Sequence, residues 1–193
     1  MKKNRISKSW LIKQRKDPFF QKSKIEGYRS RSAFKLIEIE KKFNFLNRNT
    51  YLLDLGSSPG GWTQVARKKI TKGKIMSLDV KNMKKLDNVH FLRADIADSE
   101  IYNKIFTYFD KKVDVIVSDM AINTSGNKNL DSYRIGKLCL ASMDLAKKIL
   151  NLNGVFVSKV FMGSIFSEIN SKANKCFKKV VKYKPLSSRK ESK

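Results

Sequence analysis

Several residue types that build common protein sites are scarce in this chain of 193 residues. It has two cysteines, Cys139 and Cys176, and one histidine, His90, so the sequence predicts neither a zinc site nor a disulfide framework and favours a reduced, cytoplasmic compartment. No apolar run reaches the roughly 18 residues of a membrane-spanning helix, and no apolar segment follows the charged N-terminus. We therefore expect no membrane partner and no metal, and catalysis must come from side chains other than histidine.

Acidic residues are also scarce, with 17 Asp and Glu against 42 Lys and Arg and a formal net charge of +25. This excess predicts a polyanionic partner, with nucleic acid as the first candidate. Twelve basic residues and two acids fall within residues 1–35, with Trp10, Phe19, Phe20 and Tyr28 interspersed. Because cations neutralise phosphates and aromatic rings stack on unpaired bases, we interpret residues 1–30 as a basic RNA-contact arm and residues 31–193 as a single domain.

One stretch, residues 51–64, organises the chain and reads YLLDLGSSPGGWTQ. An apolar run of strand length ends at Gly56, and a helix opens after Pro59, Gly60 and Gly61. Glycine permits unusual backbone angles and close approach of a ligand, and the start of a helix offers unpaired N–H groups. The stretch therefore predicts a nucleotide-cofactor site, although its spacing differs from the G-x-G-x-x-G fingerprint of NAD-binding proteins.

Apolar runs that alternate with helical patterns follow this stretch. The predicted strands are residues 74–79, 89–92, 113–119, 155–161 and a basic strand at 176–183. Such alternation predicts an α/β fold, a mostly parallel sheet with helices on both faces, whose ligands bind at the carboxyl edge. Asp79 ends the second strand eighteen residues beyond Gly61, close to the distance at which this fold places a carboxylate on a ribose. Asp119 ends the fourth strand, so we expect it at the same edge as Gly60 and Asp95.

Lys159 stands inside the apolar run of the fifth predicted strand, VFVSKVF. Burying an ammonium group without a partner is unfavourable, so the ordinary residue at this position is Val or Ile. A functional role explains the exception, and Lys159 is therefore a candidate catalytic residue.

Five motifs, in order along the chain, resemble those of the FtsJ-like family of RNA ribose 2′-O-methyltransferases. They are KSWLIKQRKDPF, YRSRSAFKL, DLGSSPGGW, SDMA and KVFMG. The resemblance covers essentially the whole chain and implies a Rossmann-like methyltransferase fold that binds S-adenosylmethionine (SAM). It also implies which residues hold this cofactor: Gly60, Trp62, Asp79, Asp95 and Asp119.

The same resemblance implies a catalytic set of Lys35, Asp119 and Lys159. In the implied reaction, a methyl group passes from SAM to a ribose hydroxyl, and Lys159 accepts the hydroxyl proton because burial and the second cation, Lys35, lower its pKa. Compact bacterial family members with this N-terminal segment methylate a uridine in 23S ribosomal RNA. We therefore expect ribosomal RNA of the large subunit as the partner, and a monomer.

The chain departs from the family pattern at two places. Ile122 replaces the proline of S-D-M-A-P-N, which removes a fixed φ from the loop after Asp119. The family's fourth catalytic residue, a glutamate, falls directly after Lys193 when counted from residues 187–189, and Glu191 comes three places too early. The pattern predicts a truncated C-terminus without the last strand of the sheet, or an imperfect substitution by Glu191.

Two other functions remain open from the sequence. One is the same chemistry on transfer RNA or an mRNA cap, although we identify no aromatic slot for a methylated guanine. The other is a non-catalytic RNA-binding or ribosome-assembly protein, which the missing glutamate favours. Methylation of amino groups is disfavoured, because residues 119–122 read DMAI in place of an N-P-P-Y signature.

Overall fold

The computed structural model describes residues 14–122 and 125–189. The first 13 residues of the predicted arm, with Trp10, and residue Glu191 lie outside the described residues. The elements, in chain order, are α1 (Pro18–Ile25), α2 (Ala33–Phe43), β1 (Leu52–Leu55), α3 (Gly61–Lys69), β2 (Ile75–Asp79), β3 (His90–Arg93), α4 (Ile101–Phe109), β4 (Val113–Ser118), α5 (Lys128–Ile149), β5 (Leu150–Ser158) and α6 (Phe166–Cys176).

The five strands form one parallel sheet in the order β3-β2-β1-β4-β5. Leu52 of β1 pairs with Ile75 of β2 on one side and with Val115 of β4 on the other. The chain thus winds outward from β1 in both directions, and the order of the strands reverses at β1. Ligands of such sheets bind in the crevice at this reversal, outside the carboxyl ends of the strands.

Apolar cores lie on both faces of the sheet, because successive side chains of a strand point to opposite sides. On one face, Leu53 packs in a cluster with Ile105 of α4. On the other, Leu52 packs with Leu36 of α2 and Ala66 of α3. All five side chains are fully or almost fully buried. The predicted α/β architecture, a parallel sheet with helices on both faces, is therefore confirmed.

The two C-terminal predicted strands differ from the structure. β5 ends at Ser158, so Lys159 directly follows the strand instead of standing inside it. The backbone N–H of Lys159 donates to Ser118 O of β4 at 2.9 Å, and the chain then leaves the sheet. The predicted strand at 176–183 is wrong, because residues 177–183 form neither strand nor helix and their aromatic side chains pack on other elements instead.

Candidate active site

The turn between β1 and α3, residues 56–61, forms the centre of the site. Gly56 and Gly60 both have positive φ values, 72° and 109°, which side chains larger than glycine rarely adopt. A Cβ on Gly60 would lie 2.9 Å from the guanidinium of Arg29 and 3.0 Å from Met83 Sδ. The backbone conformation at position 60 therefore favours glycine, and the side chains of Arg29 and Met83 pack closely against it.

Arg29 joins this turn to the loop that follows β2. Its guanidinium donates to Pro59 O at 3.3 Å, to Lys84 O at 2.6 Å and to Lys85 O at 2.8 Å. Its backbone N–H donates to Gln64 Oε1 at 2.7 Å. Sequence reasoning missed Arg29, since nothing in a basic N-terminal segment distinguishes an arginine that binds backbone carbonyls from one that contacts RNA.

Asp79, at the end of β2, is tied to the same turn. One carboxylate oxygen accepts the backbone N–H of Ser58 and the other that of Lys81, each at 2.8 Å. Asp95 lies just beyond the neighbouring strand β3, where its exposed carboxylate accepts the backbone N–H of Ala97 at 2.9 Å. Both predicted cofactor residues therefore lie at the carboxyl edge of the sheet.

A small polar cavity of about 40 Å³ opens beside the turn. Its lining residues are Ser32, Asp54, Gly56, Ser57, Ser58, Trp62 and Asp119. The indole N–H of Trp62 donates to Ser32 O at 2.8 Å, so this predicted cofactor residue is buried in the wall with its polar atom satisfied. Asp119, predicted for both cofactor and catalysis, closes the cavity on the side of β4.

Asp54 is a buried carboxyl group that the sequence analysis did not single out. It is 1% exposed and accepts a hydrogen bond from Thr63 Oγ1 at 2.6 Å. Burial raises the pKa of Asp54 to about 7, and the charges of Asp119 and Asp79 add to the increase. The sequence does contain a pattern that points to Asp54, because an acid within the apolar run LLDL is as unusual as the lysine in VFVSKVF.

These surroundings suit a ligand that carries positive charge and hydroxyl groups. Ser57 Oγ is buried and has no hydrogen-bond partner among the described residues, so it is available to such a ligand. Burial is the main cause of the raised pKa of Asp54, and a cation near Asp54, Asp79 and Asp119 would relieve the smaller contribution from the repulsion of the two other carboxylates. SAM has an ammonium group, a sulfonium and ribose hydroxyls, and the residues present fit it.

The three predicted catalytic residues meet in one cluster beside this cavity. Lys35 lies in the first turn of α2, Asp119 directly follows β4 and Lys159 directly follows β5. Lys35 Nζ and Lys159 Nζ each lie 3.2 Å from Asp119 Oδ1, and Lys159 Nζ also donates to Asp119 O at 2.9 Å. Because β4 and β5 are parallel neighbours, their ends deliver Asp119 and Lys159 to the same point.

The charge state of Lys159 is set by opposing influences. Burial lowers the pKa of its ammonium below the ordinary lysine value, and the nearby charge of Lys35 lowers it further. Asp119 acts in the opposite direction through its charge and its hydrogen bond, but the net direction is downward. Lys159 therefore loses its proton more easily than a solvent-exposed lysine.

Residues 14–122 and 125–189 contain no group of three or more His, Cys, Asp or Glu side chains placed to hold a metal ion. Within the same ranges, no helix combines the length and apolarity needed to cross a membrane.

The strand order, the glycine turn after β1 and the carboxylate at the end of β2 define a Rossmann-like methyltransferase fold. A structure of the fibrillarin pre-rRNA processing protein from Methanococcus jannaschii shares this fold, with a TM-score of 0.51 at 16% identity over 70% of this chain and 60% of that chain. The model of the FtsJ-like methyltransferase family matches residues 28–193. The chain belongs to the FtsJ-like methyltransferase family.

Individual relatives span nearly the full length of the chain. The ribosomal RNA large subunit methyltransferase E of Pelagibacter ubique (strain HTCC1062) is 46% identical over 193 residues, which cover 100% of this chain and 95% of that protein. The protein of the same name from Acinetobacter baylyi is 38% identical and covers 100% and 90%. The crystal structure of a protein described as a ribosomal RNA methyltransferase, from Plasmodium falciparum, matches with a TM-score of 0.77 at 33% identity, over 83% of this chain and 93% of that chain.

Proposed function

We propose that this protein transfers the methyl group of SAM to a ribose 2′-hydroxyl of ribosomal RNA from the large subunit. Membership of the FtsJ-like family and the names of the relatives support methyl transfer to ribosomal RNA. The observation that carries the ribose assignment is the contact of two lysines with one carboxylate, Asp119, beside the cavity. A ribose hydroxyl is a weak nucleophile and needs a proton acceptor, and this cluster contains a lysine suited to that task.

The residues assigned to the cofactor lie around the glycine turn and the cavity, at the carboxyl edge of the sheet. SAM, when bound, supplies an electrophilic methyl group on its sulfonium. Gly60, assigned to the cofactor by the family resemblance, lies in the turn beside the cavity, and Trp62 forms part of the cavity wall. Asp79 and Asp95 are assigned to the nucleoside part of the cofactor, and Asp119 borders both the cavity and the lysines. Arg29 holds the turn and the loop after β2 in position.

Lys159 has the hydrogen-bonding geometry of a proton acceptor. A neutral amine has two N–H donors and one lone pair. Nζ donates to Asp119 O at 2.9 Å, and Asp119 Oδ1 lies 3.2 Å from the same nitrogen. The lone pair is then directed away from Asp119, where it can accept the proton of the ribose hydroxyl. Asp119 thus orients Lys159 in both of its protonation states.

Lys35 supplies the positive charge that remains in the cluster after Lys159 loses its proton. Its Nζ lies 3.2 Å from Asp119 Oδ1 and 3.4 Å from Oδ2, so the ion pair fixes it beside the proton acceptor. A fixed cation stabilises the negative charge that develops on the attacking oxygen, or an adjacent phosphate. Lys35 therefore has two effects, since it also lowers the pKa of Lys159.

A labelling experiment on large ribosomal subunits tests this function. Large subunits that lack the modification are incubated with SAM carrying a labelled methyl group, and the RNA is digested to nucleosides and analysed by mass spectrometry. We expect label in a 2′-O-methylated nucleoside, with uridine as the base, and none with small subunits or transfer RNA. Label on a base, or no label in any RNA, would overturn the proposal.

A further inference from the structure

The carboxyl group of Asp54 lies in β1, where almost no solvent reaches it. The residue is 1% exposed, and Thr63 and Ser77 beside it are fully buried. Among the described residues, Thr63 alone hydrogen-bonds this carboxyl group, with Thr63 Oγ1 2.6 Å from Asp54 Oδ2. A buried carboxylate with a single donor residue is unfavourable, so burial favours the form of Asp54 that holds a proton.

Two hydroxyl groups link Asp54 to the neighbouring elements. Thr63 Oγ1, in the first turn of α3, lies 2.9 Å from Ser77 Oγ of β2 as well as close to Asp54. A hydroxyl group can either donate or accept a hydrogen bond. Thr63 can therefore donate to an ionised Asp54 or accept from a protonated one, and in the second case it can donate to Ser77. The same packing accommodates both forms of Asp54, so a change of protonation requires no rearrangement of these side chains.

The charged groups on the neighbouring elements act in the same direction as burial. Asp119 follows β4 and Asp79 ends β2, the two strands that pair with β1, and the negative charge of each raises the pKa of Asp54. Lys35 and Lys159 are paired with Asp119, each with its Nζ 3.2 Å from Asp119 Oδ1. Within residues 14–122 and 125–189, no ion pair of 4.0 Å or less joins a lysine or arginine to Asp54. A cation for Asp54 must therefore come from a ligand.

The cavity beside the glycine turn gives a ligand access to Asp54. Asp54 and Ser57 both line this cavity, whose volume is about 40 Å³. Ser57 Oγ is buried and has no hydrogen-bond partner among the described residues. Because a water molecule needs roughly 10–15 Å³ of cavity volume, the space admits a group of the size of an ammonium but not a whole nucleoside. An ammonium group in this cavity would lie next to Asp54 and within reach of Ser57.

We propose that Asp54 gives up its proton to solvent when it receives the ammonium group of the cofactor in this cavity. The inference rests on the proposed function for its choice of SAM as the ligand. The O–H bond of the carboxyl group breaks, the proton passes to the buffer, and the carboxylate that remains pairs with the ammonium, which keeps all of its own protons. Affinity for the cofactor should therefore rise with pH until Asp54 is already ionised in the free protein. Since the pKa of Asp54 is raised to about 7, this rise falls near neutral pH.

Calorimetric titration with S-adenosylhomocysteine, which has the same ammonium group, counts the released proton. The heat of binding is measured at about pH 6 in two buffers that differ in ionisation enthalpy, and the affinity is measured again at about pH 8. The wild type should release about 0.9 protons per ligand at the lower pH, where a group with a pKa of about 7 is mostly protonated. Its affinity should rise about tenfold between the two pH values.

Two variants and a second ligand identify the source of the proton. Asp54→Asn should release almost no proton and bind with similar affinity at both pH values. Asp144→Asn removes a largely exposed carboxylate on α5 instead, and it should release as many protons as the wild type. Methylthioadenosine, which lacks the amino-acid part of the cofactor, should release none from the wild type. The proposal would be overturned by a wild type that releases no proton with S-adenosylhomocysteine, or as many with methylthioadenosine, and neither result depends on the folding of a variant.

The proton count separates this inference from the proposed function. If large subunits are methylated but ligand binding releases no proton, the enzymatic assignment stands and the role of Asp54 is wrong. If a proton is released and no RNA is methylated, Asp54 responds to the cofactor as proposed and the assignment of the substrate fails. If neither SAM nor S-adenosylhomocysteine binds at either pH, both the proposed function and this inference are overturned.

Discussion

The two halves of the site differ in charge although they share one edge of the sheet. The cofactor half, which comprises the turn of residues 56–61 with Asp54 and Asp79, presents carboxyl groups. The proposed substrate half, which comprises Lys35 and Lys159, presents cations. Asp119 borders both halves, since it lines the cavity and binds both lysines. A cationic cofactor and an anionic RNA would thus each meet the opposite charge.

The opposite charges of the two halves would separate a cofactor site from a substrate site, which the net charge of +25 alone does not do. A basic chain attracts any polyanion, but it does not by itself separate a cofactor from a substrate. Here burial raises the pKa of an acid in one half and lowers the pKa of a base in the other. It favours the neutral carboxyl form of Asp54 and the neutral amine form of Lys159. A cationic ligand beside Asp54 would shift it toward its ionised form, and the neutral amine of Lys159 can accept a proton.

The largest effect is expected when the proton acceptor of the substrate half is removed. Lys159→Met keeps the length of the side chain but removes the amine, so the single-turnover rate of methyl transfer should fall about 10²- to 10⁴-fold. Affinity for S-adenosylhomocysteine, measured by calorimetry, should stay within about threefold of wild type, because a cofactor contact of Lys159 is not part of the account.

Lys172→Met is the matched control for this change. Lys172 is another partly buried lysine, paired with Asp144 at 2.6 Å on α5, and it lies outside both halves of the site. Its loss should leave the rate close to wild type. A Lys159→Met enzyme that keeps the wild-type rate would contradict the assignment of Lys159 as the proton acceptor.

Because Asp54 titrates near neutral pH, the free energy of unfolding should depend on pH, and replacing Asp54 should remove that part of the dependence. The pKa of Asp54 is raised from 3.8 to about 7 in the folded protein, so between these values the folded state holds a proton that the unfolded state has lost. Its contribution to stability is complete below the lower value and is lost as pH rises through the upper one, by up to about 4 kcal/mol.

Asp54→Asn should abolish this part of the pH dependence. The test compares the free energy of unfolding in urea at about pH 5 and about pH 8 for the wild type and the variant. The wild type should lose more stability than Asp54→Asn over this interval. Equal losses would mean that Asp54 is ionised at neutral pH and that the cofactor half carries a full negative charge there.

A smaller effect is expected from loosening the cofactor half without changing its carboxylates. Arg29→Met removes three hydrogen bonds to the carbonyls of Pro59, Lys84 and Lys85, so affinity for S-adenosylhomocysteine should fall about tenfold. Arg67→Met is the control, since Arg67 also binds two carbonyls, those of Ile70 and Asp87, but not the glycine turn. Equal losses in the two variants would show that Arg29 has no special role at the turn.

Sequence patterns predicted the residues that strand ends deliver to one edge of the sheet. Asp79 and Asp119 follow from the alternation of strands and helices, and Lys159 follows from the cost of a lysine in an apolar run. Lys35 came only from the family resemblance, because on α2 it looks like any exposed helix charge. The roles of all four residues remain proposals.

Other contacts depend on tertiary packing that no local pattern reports. Arg29 binds carbonyl groups 30 to 56 residues away along the chain. Residues 176–183 were predicted as a strand because basic and apolar residues alternate there, yet Phe177 and Tyr183 pack on β5 and α2. Periodicity records which residues are apolar, but it does not record the element on which they pack.

The most direct test of the account is the pH dependence of single-turnover methyl transfer, compared between the wild type and Lys35→Met. If Lys159 accepts the proton, the wild-type rate should rise with pH and then level off. The midpoint of this rise should lie below the ordinary lysine pKa of 10.5. Lys35 is one cause of that lowered pKa, so Lys35→Met should move the midpoint to higher pH as well as reduce the maximal rate. A rate that does not rise with pH, or a midpoint that stays in place or moves down in Lys35→Met, would contradict the account.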